Sequence, residues 1–219
     1  MKRHFTIVEL LSVVAVIAIL AGILIPTIGA VKESGKATQS LTEVKSIHMA
    51  IKAFETDHKY LPYSSSNNDT VIPGISAAGA TSSSNPSGTY ADNTTATLDS
   101  SYFELFNTLC YTDHEGSDGV ASAATAVAKT YNKQAKKYLA PNDTEKFYGG
   151  DFPGYRDPWG RPYIIFLDTN YDKIIENVHT GLRVPGNAIQ DTAAVVGMGK
   201  NQGKTLGNCQ ADLLLTSWQ

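Results

Sequence analysis

The sequence predicts an α+β protein in which a long amino-terminal helix, membrane-spanning in its first half, continues into a globular head with a small antiparallel sheet. An uncharged apolar run at residues 10–31 is long enough to cross the hydrocarbon core of a bilayer as a helix. An amphipathic pattern follows it, and short β-prone runs bounded by turn residues lie in the later part of the chain. The 219 residues and the net charge of -3 fit one domain with an appendage and predict no nucleic-acid partner.

The residues around the apolar run predict its orientation. Lys2 and Arg3 precede it, so the amino terminus is expected in the cytoplasm and the rest of the chain on the exported side. A cleaved secretory signal peptide is an alternative, but its apolar region is usually about 7–15 residues long. A plain signal anchor does not explain Glu9, because a buried carboxylate costs about 2.5–3.5 kcal/mol at the centre of a spanning helix and a smaller amount nearer its end. Pro26 lacks an amide donor and predicts a kink in the helix.

The membrane-spanning half, residues 5–31, is expected to continue into an amphipathic half at residues 32–60. Apolar side chains recur there at spacings of three and four residues, and charged side chains fill the other faces. The apolar positions are Leu41, Val44, Ile47, Ile51 and Phe54. Together the two halves predict one helix over residues 6–58, which Leu61 and Pro62 bring to an end.

The rest of the chain divides into a polar segment and the head. Residues 61–101 are rich in Ser and Asn with few large apolar side chains, which predicts a surface loop or a partly disordered insertion, with a binding loop as the alternative. Residues 102–219 are expected to form the α+β head. The elements predicted inside it are helices at 102–111 and 121–139, a strand at 163–167, a turn at 168–172 and a returning strand at 174–178.

The segment FTIVELL, which follows a short basic leader, resembles the amino-terminal signature of type IV pilins and of the pseudopilins of type II secretion systems. The resemblance implies that residues 1–4 are a leader, that a prepilin peptidase cuts between His4 and Phe5, and that Phe5 is then methylated. His4 stands where the family usually has Gly. Glu9 matches the family glutamate that is thought to neutralise the Phe5 ammonium of a neighbouring subunit, and a buried carboxylate does need a cationic partner. Pro26 falls where the family commonly has a proline.

A second resemblance covers the carboxyl-terminal part of the chain. DPWGRPY resembles the DPWGNPY segment of the major pseudopilin, and it is itself a turn, because Pro158 has a preset φ and Gly160 can take a positive φ. The family turn comprises Asp157, Pro158, Trp159 and Gly160. The tail GMGKNQGKTLGNCQADLLLTSW resembles the family's ending, in which the matching positions are Gly199, Gly203, Asp212 and Trp218.

The resemblance also implies a calcium-binding loop near the carboxyl terminus. Asp212 and Asn201 stand at two of its ligand positions. Two family carboxylates are replaced, one by Asn201 and one by Gln210, and calcium favours carboxylate ligands. This site is therefore expected to be weak or absent.

A second candidate for calcium lies in the DTNYDKIIENVH segment. Asp168, Asn170 and Asp172 match the first three ligand positions of an EF-hand loop. Lys173 replaces the required Gly and His179 replaces the required Glu, so a hairpin turn is the favoured interpretation. No cofactor is expected for the chain, other than calcium bound weakly.

No catalytic motif is found, so the chain is not expected to be an enzyme. HEGSD lacks the second His of a HExxH motif, and no GxSxG or phosphate-binding loop occurs. His48 is expected to pack rather than to bind a ligand. Cys110 and Cys209 are too far apart in sequence for a CxxC motif, and in an exported domain they predict a disulfide.

These patterns and the resemblance predict a structural subunit of a bacterial cell-envelope filament, most specifically the major pseudopilin of a type II protein secretion system. The chain is expected in the inner membrane with its amino terminus in the cytoplasm and its head in the periplasm. Expected partners are membrane lipid, identical subunits in a helical filament, other pseudopilins, the prepilin peptidase and the inner-membrane assembly platform. A type IV pilin for adhesion or motility, a membrane-anchored periplasmic binding protein and a tethered hydrolase are the alternatives.

Overall fold

A computed structural model describes the backbone of nine stretches of the chain. These are residues 6–63, 70–72, 100–111, 128–140, 155–160, 162–176, 184, 188–200 and 215–218, with the side chains of 23–27, 70–72, 100–101 and 103 left aside. The elements are α1 (Ile7–His58), β1 (Thr70–Ile72), α2 (Ser100–Cys110), β2 (Ile164–Leu167), β3 (Ala193–Gly197) and β4 (Leu215–Thr216). The expected α+β class, with a long helix and a small antiparallel sheet, is confirmed.

The chain divides into two compact units, Met1–Thr38 and Gln39–Gln219. In the first unit α1 begins at Ile7, and its large apolar side chains are exposed from the first turn onward. Within the part of the chain that the structure describes, no stretch of helix combines the length and the apolar character needed to cross a membrane.

The sheet has four strands in the order β1-β2-β3-β4, and every neighbouring pair is antiparallel. Strand β2 therefore pairs with β1 on one side and with β3 on the other. Leu167 is registered against Thr70 of β1 and against Ala193 of β3. Because both of its edges are paired, β2 is a central strand, and both pairings join segments that are far apart in the sequence.

The prediction that residues 174–178 return as the partner of β2 is wrong. Ile175 instead forms a single bridge with Ile189, through backbone hydrogen bonds of 2.8 and 3.0 Å, and residues from 177 on lie outside the described part. Positive φ angles at Tyr171 and Lys173 bend the chain out of strand geometry before it can pair with β2.

The core of the Gln39–Gln219 unit covers both faces of the sheet. Successive side chains of a strand point to opposite faces, and all four residues of β2 are buried. One face packs against apolar side chains of α1 and α2, and the residues that share this cluster include Val44, Ile47, Ile51, Phe54, Leu105, Phe106, Ile165 and Val195. The other face packs in a smaller cluster made of Ile164, Phe166, Ile175, Ile189, Ala194, Val196 and Met198.

The helix expected over residues 121–139 is wrong at its carboxyl end. The chain is helical at 128–131 and leaves the helix at Asn132, while 121–127 lie outside the described residues. The side-chain Nδ2 atom of Asn132 donates to the carbonyls of Thr108 and Lys136 at 2.9 and 2.7 Å. Its Oδ1 atom accepts from the Lys136 backbone amide at 3.2 Å. A side chain that replaces backbone partners in this way competes with helix formation, so the helix ends here.

Candidate functional site

The first turn of α1 is held by a capping box between Thr6 and Glu9. The Glu9 Oε2 atom accepts hydrogen bonds from the Thr6 backbone amide at 2.9 Å and from the Thr6 hydroxyl at 2.8 Å. The Glu9 amide donates back to the Thr6 hydroxyl at 3.3 Å. This reciprocal pattern satisfies amides that have no partner inside the helix. The T-x-x-E spacing in the sequence indicates such a capping box. The box was missed in the sequence analysis because Glu9 was considered only as a charge buried in the membrane.

The capping box uses only one of the two oxygens of Glu9. The Oε1 atom makes no hydrogen bond or ion pair with any described residue. A carboxylate in the first turn is also favoured by the positive end of the helix dipole. Glu9 is thus held in place by the first turn of its own helix, and its Oε1 atom has no partner among the described residues. His4 and Phe5, the predicted cleavage and methylation site, lie outside the described residues.

The helix behind Glu9 presents an apolar surface on all sides. Side chains at consecutive turns are exposed around the whole circumference, from Ile7 at 84% to Leu20 at 54%. The other exposed apolar positions in this stretch are Val8, Leu10, Leu11, Val13, Val14, Val16, Ile17 and Ile19. The helix continues past Pro26, the predicted kink, whose side chain is not among those described. Apolar surface of this extent is typical of a membrane or protein contact.

The DPWG segment forms the turn that the sequence predicts. The Gly160 amide donates to the Asp157 carbonyl at 2.8 Å, and the Trp159 amide donates to Asp157 Oδ1 at 3.0 Å. Gly160 has a φ of 84°, which a residue with a side chain rarely adopts. Arg156 and Pro162 bridge across the turn. The turn directs the chain into β2 and places Tyr163 in the core.

A buried polar contact joins α1 to the residue that precedes β2. The Tyr163 hydroxyl donates to Glu43 Oε2 in a short hydrogen bond and lies 3.5 Å from the Ser40 hydroxyl. The charged side chains of this helix were expected on its outer faces, but Glu43, which is one of them, is 6% exposed. A Cβ atom at Gly197 would lie 3.1 Å from Ser40 Oγ and 3.3 Å from the Tyr163 ring, so any other residue there would require these side chains to shift.

A second polar cluster joins α1 to the start of β3. Lys52 forms an ion pair with Asp191 and donates to the Thr192 hydroxyl, which in turn donates to Glu55 at 2.6 Å. His48 Nε2 lies 3.0 Å from Asp191 Oδ2, so this histidine makes a polar contact rather than the packing contact that was expected. Burial acts to raise the pKa of Asp191, but the hydrogen bond and charge of Lys52 outweigh it and lower that pKa below its ordinary value.

Of the two candidate calcium sites, the structure describes only the one after β2. Asn201 and Asp212 lie outside the described residues. Asp168, Asn170 and Asp172 come together in one loop directly after β2, where their side chains bind backbone amides of the same loop. Among the described residues, no group of three or more His, Cys, Asp or Glu side chains is placed to hold a metal ion. The loop offers two carboxylates together with amide oxygen.

Cys110 ends α2 as a buried, free thiol, and burial raises its pKa to about 12. A thiol in such an environment is protonated and unreactive at neutral pH. Cys209 lies outside the described residues, so the disulfide between the two stays a prediction.

Comparison with known proteins gives no relative: the chain matches no family model, no curated protein and no solved structure.

Proposed function

We propose that the chain is a structural subunit of a cell-envelope filament, most specifically the major pseudopilin of a type II protein secretion system. The observation that carries the proposal is the first part of α1. Apolar side chains are exposed all round it, and its only carboxylate is capped at the first turn with one oxygen unused. The resemblance of FTIVELL and DPWGRPY to the pseudopilin family supports the same assignment.

In this proposal residues 5–31 span the inner membrane before assembly. The apolar run that supports this extends over residues 10–31 and includes the five positions whose side chains the structure leaves aside. Removal of residues 1–4 by the prepilin peptidase creates a free ammonium at Phe5. Helices of identical subunits and of other pseudopilins then bundle on the assembly platform, with the heads facing the periplasm.

Glu9 is the residue that couples processing to assembly. Its Oε2 atom is held by Thr6, which fixes the direction of the side chain, and Oε1 is left to accept the Phe5 ammonium of a neighbouring subunit. In a helix bundle without water, a carboxylate and an ammonium that are both partnered avoid the cost of burying either charge alone. Removing one member of a buried pair typically costs about 3–5 kcal/mol.

The experiment compares three variants in cells that contain the peptidase and the assembly platform. Glu9→Gln removes the charge, but Gln also serves in a capping box. Any loss of assembly in this variant therefore reports the charge and not the cap. Losing about 3–5 kcal/mol of pairing should reduce cross-linked ladders more than a hundredfold relative to inner-membrane monomer, since about 1.4 kcal/mol corresponds to a factor of ten. Glu9→Ala should do the same. Thr6→Ala removes the two hydrogen bonds of the Thr6 hydroxyl but keeps the charge of Glu9 and the backbone amide bond that orients it, so this variant should form ladders close to the parent level.

The opposite pattern would reject the pairing mechanism. If Glu9→Gln forms ladders as well as the parent while Thr6→Ala does not, the role of Glu9 is to start the helix. Equal ladders from all variants would show that the Glu9 carboxylate has no role in assembly.

A further inference from the structure

The loop between β2 and the Ile175 bridge, residues 168–174, is closed by its first side chain. Asp168 is fully buried, and its Oδ2 atom accepts a hydrogen bond from the Lys173 amide at 2.7 Å. This bond spans the loop, so the carboxylate faces inward. The loop is anchored on one side by β2 and on the other by the two backbone hydrogen bonds between Ile175 and Ile189.

The second oxygen of Asp168 has no partner in the part of the chain that the structure describes. Asp168 Oδ1 is buried, and it makes no hydrogen bond and no ion pair with any described residue. Burying a charged oxygen without a donor or a cation is costly, and proteins rarely leave such an atom unsatisfied. A cation held in the loop would supply what the described protein groups do not.

Further side-chain oxygens belong to two exposed residues of the same loop, Asn170 and Asp172. Asn170 Oδ1 accepts from the Asp172 amide at 3.0 Å, and Asp172 Oδ1 accepts from the Ile174 amide at 2.8 Å. Asp172 Oδ2 accepts from the Asn170 side-chain amide at 3.1 Å. Each of these oxygens keeps a second lone pair, and both side chains are exposed, so an ion can reach them from solvent.

The backbone follows the course that a calcium loop requires. Ligands at the first, third and fifth positions are followed by a sharp turn at the sixth, where Gly is usual, and by a backbone carbonyl at the seventh. Lys173 occupies the sixth position with a φ of 69°, so the turn is made despite the missing Gly. Lys173 argued against a calcium-binding loop in the sequence, but it does not prevent the backbone turn that such a loop needs.

We propose that the 168–174 loop is a calcium site in which Asp168, Asn170, Asp172 and the Ile174 carbonyl are the ligands. The mixture of carboxylate, amide and carbonyl oxygens is the donor set that calcium prefers. His179 stands at the twelfth position, where a bidentate Glu is usual, so the affinity should match that of extracellular calcium modules, about 10⁻⁴–10⁻³ M. The site does not depend on the proposed function.

The test measures unfolding of the full chain in detergent with chelator or with 10 mM calcium, roughly 10–100 times the expected Kd. Calcium should shift the unfolding equilibrium about 10–100-fold toward the folded state. Asp172→Asn, an exposed substitution, and Asp168→Asn should each abolish the shift. Asp57→Asn is the matched control: that aspartate is paired with Lys136 outside the loop, and the calcium response should persist.

Two results would overturn the proposal. One is an unfolding equilibrium in the parent that calcium does not move. The other is a shift that survives Asp172→Asn but is lost in Asp212→Asn, which would place the ion in the carboxyl-terminal loop. If Asp168→Asn fails to fold, Asp172→Asn decides the question alone.

Discussion

The Tyr163 hydroxyl donates a hydrogen bond to the Glu43 carboxylate in the core, and this contact joins helix α1 to the residue that enters β2. Tyr163 is fully buried and Glu43 nearly so. Burial, and after it the negative charge of Glu43, raises the pKa of Tyr163 above its ordinary value. The hydroxyl is therefore protonated at neutral pH and donates to the carboxylate.

Tyr163→Phe should lower the free energy of unfolding by about 1.5–3 kcal/mol, the usual contribution of a hydrogen bond to a charged group. The ring is kept, so the change reports the lost hydroxyl and the carboxylate left without it. Urea unfolding of the full chain in detergent measures it. Tyr171→Phe is the control, because its hydroxyl accepts from the uncharged Leu61 backbone amide and the side chain is half exposed. An equal loss in both variants would contradict the role given to Glu43.

Asp191 should make the head sensitive to acid. Its pKa is lowered in the folded state, so its stabilisation is present above the unfolded pKa of about 3.9 and is lost as the pH falls through the folded value. Thermal midpoints measured from pH 6 to pH 3 should fall, and Asp191→Asn should lower the midpoint at pH 6 while flattening the decline. Lys52→Met removes the cation that lowers this pKa, so the folded and unfolded pKa values of Asp191 should come closer together and the acid decline should be flatter in this variant too. Parallel curves for the parent and Asp191→Asn would exclude Asp191 as the source.

Processing should remove residues 1–4. The basic leader before Phe5 and the FTIVELL signature motivate this expectation. The intact mass of protein extracted from membranes that contain the peptidase should show the loss of these residues plus one methyl group. Replacing His4 by Gly, the usual family residue, should increase the processed fraction. A chain that stays uncut in both forms would favour a simple anchor.

Cys110 and Cys209 should form a disulfide in exported protein. In the chain-entropy model, closing a loop of about 100 residues contributes up to roughly 4.7 kcal/mol. Because a buried Cys110 thiol, with its pKa raised to about 12, would not react in the folded state, alkylation must be done after denaturation without reductant. The mass should show no alkylated cysteine, and Cys209→Ser should expose one thiol at Cys110. Two alkylated thiols in the parent would reject the disulfide.

Local signals in the sequence predicted several elements well. The helix expected over residues 6–58 is observed at Ile7–His58, because periodic apolar side chains and the Leu61-Pro62 stop act within a few residues. The 157–160 turn was predicted for the same reason: Pro158 has a preset φ, and Gly160 can take the positive φ of 84° that the turn requires. The T-x-x-E cap was equally local, and it was open to prediction from Thr6 and Glu9 alone.

Signals between near neighbours were therefore enough to predict the element types, the turns and the family resemblance. Only the folded chain shows that β2 lies between β1 and β3, that Glu43 is buried against Tyr163, and that Asp168 is enclosed with one oxygen unsatisfied. Each of these depends on contacts between residues far apart in the chain, or on burial that such contacts create. Periodicity and propensity report only on a residue's near neighbours, so they cannot show which distant segment covers it.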